Sequence, residues 1–190
     1  MLVKLRPIMV YDLDLLLAWA QVPEVWKYLP TSRKNEKLTW EDHYSWWKDW
    51  VSAQGGPYPP RRDWAILYSD MSTVARRVGV AHAVFNYPNP PEIGLYIGEM
   101  GVWGKGIGKL ALEEMIKILS NSGYRIYRAV IHPKNRRSIS LFTSLGFRRM
   151  GKGRNGQDLY EANYSTSVRP TSPVPIAKER DRLSCKFSPA

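Results

Sequence analysis

Trp103-Gly104-Lys105-Gly106-Ile107-Gly108-Lys109 follows an apolar run at residues 93–98 and opens a long amphipathic stretch. Apolar strand, glycine turn and helix in that order predict bare N–H groups at a helix N-terminus. There the macrodipole is positive and glycines let an anion reach the main chain. The stretch reads as a phosphate cradle; the competing reading is a tight strand-to-helix turn that binds nothing. Two common phosphate loops do not fit. Gly101 and Gly106 have P-loop spacing, but Ile107-Gly108 stands where Lys-Ser/Thr is needed, so the magnesium-binding hydroxyl is missing. A dinucleotide fingerprint starting at Gly104-Lys105-Gly106 requires glycine or alanine at Lys109. What remains is Trp103-x-x-Gly106-x-Gly108.

Working outward, short apolar runs at 64–68, 78–85 and 93–98, separated by turn residues, predict antiparallel strands leading into the loop. Beyond it, Ile107, Leu110, Ala111, Met115, Ile118 and Leu119 recur at helical spacing over 107–120, with Glu113 and Lys117 paired on the opposite face and Gly123 as the stop. A strand over 124–131 comes next, then a helix from Pro133 with Ser138, Leu141, Phe142 and Leu145 along one side, ended by Gly146. A glycine-rich basic turn at 151–156 leads to a last strand around Leu159-Tyr160. Upstream, the pattern predicts a strand at 2–5, a helix at 12–20 and a break at Pro23. A helix at 39–53 follows, carrying Trp40, Tyr44, Trp47 and Val51 in one stripe and Trp46 and Trp50 in another. That second stripe reads either as packing or as one wall of an acceptor pocket. Residues 54–62 form a Gly/Pro-rich loop closed by Arg61-Arg62.

The chain of 190 residues is long enough for one domain with a real core, and 44% hydrophobic residues with eight Trp argue against disorder. The expectation is a single α/β (α+β) domain over 1–163 and a Ser/Pro-rich basic tail over 164–190, disordered for want of any apolar pattern. The formal net charge is +11, three charges of it in that tail, so the basic bias is general and attracts polyanions without choosing among them. The single cysteine, Cys185, excludes an internal disulfide, a cysteine zinc site and a cysteine nucleophile in the body, and fits a reducing cytoplasm. No signal peptide or membrane span is visible. His43, His82 and His132 are widely separated and make no metal-ligand spacing, so no metal is expected; structural or surface roles fit them best, with His43 kept as an acceptor-side candidate.

Three motifs in register resemble those of the GCN5-related N-acetyltransferases (GNAT): Glu92-Ile93-Gly94-Leu95-Tyr96-Ile97-Gly98, the Trp103–Gly108 loop, and Asn135 with Ser138 and Leu145-Gly146-Phe147. The wording is nearest the branch with ribosomal-protein-alanine, spermidine and aminoglycoside N-acetyltransferases. The likeness is close over 91–151 and loose over 2–85. It implies a twisted, mixed, mostly antiparallel sheet flanked by helices, whose fourth and fifth strands splay into a slot. In such a fold the pantetheine arm of acetyl-CoA, the acyl-donor cosubstrate, pairs with Tyr96, Ile97 and Gly98. Its pyrophosphate sits after Trp103 on the N–H groups of Gly104, Lys105, Gly106, Ile107, Gly108 and Lys109, with charge from both lysines. Asn135, Ser138 and Phe142 face it from the other side.

Acetyl transfer to a primary amine needs an uncharged nitrogen, a stabilised oxyanion and a proton for the thiolate. Alternation sets Glu92, Gly94 and Tyr96 on one strand face, making Glu92 the first candidate base; a solvated strand-end carboxylate is the competing reading. Many relatives carry a tyrosine as thiolate acid where this chain has Phe142, so either Ser138, Tyr96 or water serves instead or the thiolate leaves without enzymatic protonation. The acceptor is a small-molecule amine or a protein N-terminus, and a homodimer is open as an assembly state. Two other classes stand beside this reading. One is a basic nucleic-acid-binding module, ranked below because the aromatics sit at core spacings. The other is an acyl-CoA-binding protein without turnover, suggested by Phe142.

Overall fold

Two periodicities partition the chain into layers: alternating strands that bury one face each, and helices whose apolar stripes cover those faces. The computed structural model describes residues 1–28, 39–41, 44, 45, 48, 60–70 and 74–165. Seven strands form one mixed sheet in the order β1-β2-β3-β4-β5-β7-β6. They are β1 (Leu2–Pro7), β2 (Arg61–Ser69), β3 (Arg76–Val84), β4 (Glu92–Ile97), β5 (Ile126–Ile131), β6 (Arg148–Lys152) and β7 (Asp158–Asn163). Neighbours are antiparallel except β4 and β5, which run parallel.

One face carries Trp64, Ile66, Val78, Ala81, Ala83 and Ile93 and is covered by the long helix Ile107–Asn121 and the helix Arg136–Thr143. The other face carries Ala65, Val80 and Tyr96, against which α1 (Leu13–Ala20) lays Leu13, Leu16 and Trp19, followed by α2 (Pro23–Trp26). Trp40 and Tyr44, both helical, stack at 4.8 Å, and Trp40 Nε1 donates to Asp14 at 2.7 Å, tying that segment to α1. The rest of the expected tryptophan helix, including Trp46, Trp47, Trp50 and His43, and most of the 54–62 loop lie outside the described residues.

Element types follow the sequence expectations, and the differences have local causes. Arg61 and Arg62 belong to β2 rather than to a loop, because Arg61 pairs in register with Val84 and extends the ladder. β5 begins at Ile126, two residues late, because the Tyr124 N–H closes the preceding helix on Leu119 C=O. The helix after Pro133 begins at Arg136, with Asn135 as its cap accepting the Ser138 N–H at 3.1 Å. In the long helix Leu112 is fully buried, and Lys117 pairs with Glu114, one turn position from the expected Glu113, at 3.8 Å. β6 was invisible in the pattern: its residues are exposed and basic, and a register shift between Arg149 and Gly151 removes any alternation. Tyr164 belongs with the body, its hydroxyl donating to Leu145 C=O at 2.5 Å and its ring against Tyr127. Residues 166–190 lie outside the described residues. No helix among the described residues is long and apolar enough to cross a membrane.

Candidate active site

β4 and β5 share a single register pair, Glu92 with Arg128, with the Arg128 N–H donating to Pro91 C=O at 2.9 Å. Beyond it toward their C-terminal ends the strands part. Gly98 N–H is held by Val78 C=O at 2.9 Å, so alternation turns the polar groups of Leu95 and Ile97 away from β3 and toward the gap. The Ile97 carbonyl accepts the Trp103 indole N–H at 2.8 Å. Of the three positions expected to meet the donor's arm, Ile97 therefore fronts the gap, while Tyr96 pairs with Val80 of β3 and the Gly98 N–H is engaged. Leu95, not singled out from sequence, shares the open edge.

The glycine loop closes the same end. Gly104 and Gly106 adopt left-handed backbone, φ 79° and 78°, with open space where a side chain would start. Among the described residues the N–H groups of Gly104, Gly106, Ile107 and Gly108 have no protein acceptor, whereas those of Lys105 and Lys109 bond back to Val102 and Gly106. Four bare donors at the N-terminus of a fifteen-residue helix make an anion cradle. The start of the helix Arg136–Thr143 stands beside it: the Arg137 guanidinium lies 4.9 Å from the Trp103 ring, and a Cβ on Gly108 would meet Leu141 at 3.3 Å. Trp103, Gly108, Asn135 and Ser138 are thus brought together at the splayed end. The Asn135 side-chain oxygen is spent on its own helix cap, leaving its amide nitrogen for a ligand, and Ser138 Oγ has no protein partner among the described residues. Phe142 is elsewhere, 3% exposed in the core and edge-on to Phe147 at 5.0 Å.

The opposite sheet face above β4 is where chemistry gathers. Register aligns Arg61, Val84 and Glu92 in one row, Asp63, His82 and Gly94 in the next, and Ala65, Val80 and Tyr96 in the third. Tyr96 lies in an aromatic corner, edge-on to Trp19 at 6.3 Å and tilted against Trp26 at 5.6 Å. Burial, then the nearby Asp63 carboxylate, raise its phenol pKa, so the hydroxyl stays protonated. Asp63 is buried and gripped by Arg61 (2.7 and 2.8 Å); desolvation outweighs the arginine and pushes its carboxyl upward. Burial and the Arg61 charge hold His82 neutral, its pKa pushed down to about 3. A Cβ on Gly94 would stand 2.7 Å from two imidazole atoms, so the ring leans over β4.

Glu92 lies at the closed end of the splay, about 13 Å along the strand from Tyr96 at the usual rise per residue. Desolvation raises its carboxyl pKa, and Arg154, whose Nη2 donates at 2.6 Å, pulls it partly back. Arg154 comes from the turn between β6 and β7, which packs its Gly153 against Val130 of β5. Sequence reading missed Arg61, Asp63, His82 and Arg154. The only signal in the chain is the alternation Arg61-x-Asp63 and the small residue at Gly94, and neither reveals which strands become neighbours. Among the described residues no group of three metal-ligating side chains occurs.

The Acetyltransferase (GNAT) domain family matches residues 3–148 of this chain. An uncharacterised protein of Methanocaldococcus jannaschii is 40% identical over 159 residues, covering 84% of this chain and 31% of that protein. The chain thus spans about a third of the length of that relative. The solved structure of a domain from the same organism is 39% identical with a TM-score of 0.73, covering 85% of this chain and 98% of that one. The spermidine N-acetyltransferase of Vibrio cholerae, solved with CoA and spermine, shares the fold at 15% identity and a TM-score of 0.67, covering 86% and 96%.

Proposed function

The chain belongs to the GNAT acetyltransferase family, and from that premise we propose that it moves an acetyl group from acetyl-CoA to a primary amine by direct attack within a ternary complex. One observation carries the reading: the bare N–H groups of Gly104, Gly106, Ile107 and Gly108 open onto the same end of the sheet as the β4 edge at Leu95 and Ile97, which β5 leaves without a strand partner and where the Ile97 carbonyl accepts the Trp103 indole N–H. A diphosphate on the former leaves an amide-bearing arm in reach of the latter, with Lys105 and Lys109 adding charge, Trp103 walling the loop, and Asn135 and Ser138 on the far side.

The acceptor enters from the opposite face, over Glu92, His82 and Tyr96. Glu92, whose carboxyl pKa is raised by burial, takes a proton from the incoming ammonium directly or through water. The nitrogen then attacks the thioester carbon, the C–N bond forms and the C–S bond breaks; the thiolate takes a proton from Ser138, Tyr96 or water, and the second proton shed by the acylated nitrogen restores that donor. Phe142 offers no hydroxyl, and this favours one second reading, an acyl-CoA-binding protein that does not turn over. Titration calorimetry with acetyl-CoA and thiol release with an amine panel separate them. The expected result is micromolar-range donor binding with turnover; absence of donor binding defeats both readings, and binding without turnover on any amine selects the second.

A further inference from the structure

The charges over the acceptor face alternate, and each carboxylate there has an arginine. Arg61, Glu92, Arg128, Glu161 and Arg148 fall in one register row across β2 to β6, interrupted only by Val84. Asp63 is held by Arg61, Glu161 by Arg128 at 2.9 Å, and Glu92 by Arg154 at 2.6 Å. The last pair differs from the others in what it joins. Glu92 begins β4, while Arg154 reaches over β5 from the β6–β7 turn, so the bridge spans the face of the splay at its closed end. Glu92 keeps 21% of its side chain exposed and Arg154 56%. Arg154 is thus the open member of the pair and Glu92 the enclosed one, so the guanidinium can swing into solvent while the carboxylate needs a cation in its place.

We propose that the acceptor is a small zwitterion, a primary amine with a carboxylate or phosphonate a few bonds away, whose ammonium replaces Arg154 at Glu92 while its anion is taken up by the displaced Arg154. This rests on the acetyl-transfer reading and narrows its substrate. The argument is conservation of charge partners. A polyamine reaching Glu92 would release Arg154 to solvent without a counter-ion and would bring further cations toward Arg61 and Arg128. An anion without an amine would strip Arg154 from Glu92 and leave a half-buried carboxylate unpaired, a costly outcome. Only a molecule carrying both signs re-pairs both groups. Arg154 stands in a tight turn, with Asn155 and Gly156 in left-handed conformations, φ 54° and 73°, and with Gly153 close enough to β5 that a Cβ there would meet Val130 at 3.4 Å.

The test compares acceptors in pairs that differ only in the anion: glycine with glycinamide, β-alanine with its amide, and 2-aminoethylphosphonate with ethanolamine, with spermidine alongside. The full chain is assayed by thiol release, with acetyl-CoA binding measured separately. The acid member of at least one pair is expected to have kcat/KM about tenfold or more above its neutral partner, although the amide has the less basic and more readily freed amine. Assayed on the alkaline plateau, where Glu92 is ionised in both chains, Arg154→Gln should cost the acid about tenfold, mostly in KM, and its neutral partner less than about threefold, with Arg154→Lys recovering part of the loss. Equal use of acid and amide, equal losses on both in R154Q, preference for spermidine, or tight donor binding with no zwitterion turned over would each overturn the proposal. Failure to bind acetyl-CoA would instead overturn the reading beneath it.

Discussion

The His82 imidazole lies over Gly94, two of its atoms 2.7 Å from where a Cβ would stand. A side chain at position 94 therefore evicts the ring, and because the ring is the free end of a side chain the fold absorbs this cheaply. Gly94→Ala is expected to lower acceptor kcat/KM by about tenfold while the melting temperature and the acetyl-CoA dissociation constant stay near wild type. His82→Ala should give a loss of similar size, and the double variant little more than either, since both remove the same placement. Additive losses would show that Gly94 acts on something other than His82.

Glu92 sets a pH limb. Its carboxyl pKa is raised by burial, and the form that accepts a proton is the ionised one, so kcat/KM should fall as pH drops through a midpoint above the ordinary carboxylate range. Arg154 holds that midpoint down, and its replacement by glutamine should move the limb to higher pH. Glu92→Gln should abolish the limb and cost about 100-fold in rate. A Glu92→Gln chain with the wild-type rate and profile would leave water as the base.

What the sequence made legible was local in the chain. The strand, glycine turn and helix at 93–121 declare themselves because alternation gives way to helical spacing within a few residues, and the N–H groups they expose are fixed by that turn alone. The helix cap at Asn135 is local in the same sense, although its oxygen faces inward to Ser138 and not to a ligand. The acceptor face was not legible, because it is made of cross-strand neighbours. Asp63, His82 and Gly94 form one row only after β2, β3 and β4 take a particular register, and Arg154 meets Glu92 from 62 residues away. His82, with no acidic residue near it in sequence, reads there as structural; folding sets it in one row with Asp63 and one row away from Arg61.

Gly106 and Gly108 should fail for different reasons. Gly106 has open space around a left-handed backbone, so Gly106→Ala pays strain of about 1–2 kcal/mol, with donor affinity falling as the loop shifts. Gly108 has ordinary backbone, but a Cβ there would meet Leu141 at 3.3 Å and Leu95 at 3.8 Å, so a branched side chain must part the two helices that frame the cradle. Gly108→Val is expected to weaken acetyl-CoA binding by more than about tenfold with only a modest loss of melting temperature. Unchanged affinity in both variants would defeat the cradle.

Asp12 should be the electrostatic pivot of the fold, remote from the site. Its carboxylate is fully buried and accepts from Arg6 at 2.9 and 3.0 Å, from the Met9 N–H at 2.8 Å and from Arg77 at 3.1 Å, joining β1, α1 and β3. Burial pushes the carboxyl pKa up, but the hydrogen bonds from Arg6, Met9 and Arg77 outweigh it, and the folded value lies below the ordinary one. A depressed folded pKa gives stability that is present above the unfolded value of about 4 and is lost as pH falls through the folded one. Asp12→Asn keeps the shape but loses the charge that two arginines face, and should cost about 3 kcal/mol at pH 7, or a melting temperature about 6–12 °C lower. As pH falls from about 4 through the lower folded value, the wild-type carboxyl protonates as well, and the two melting curves should converge. A constant gap across that range would mean that lost packing or geometry, rather than charge, carries the effect.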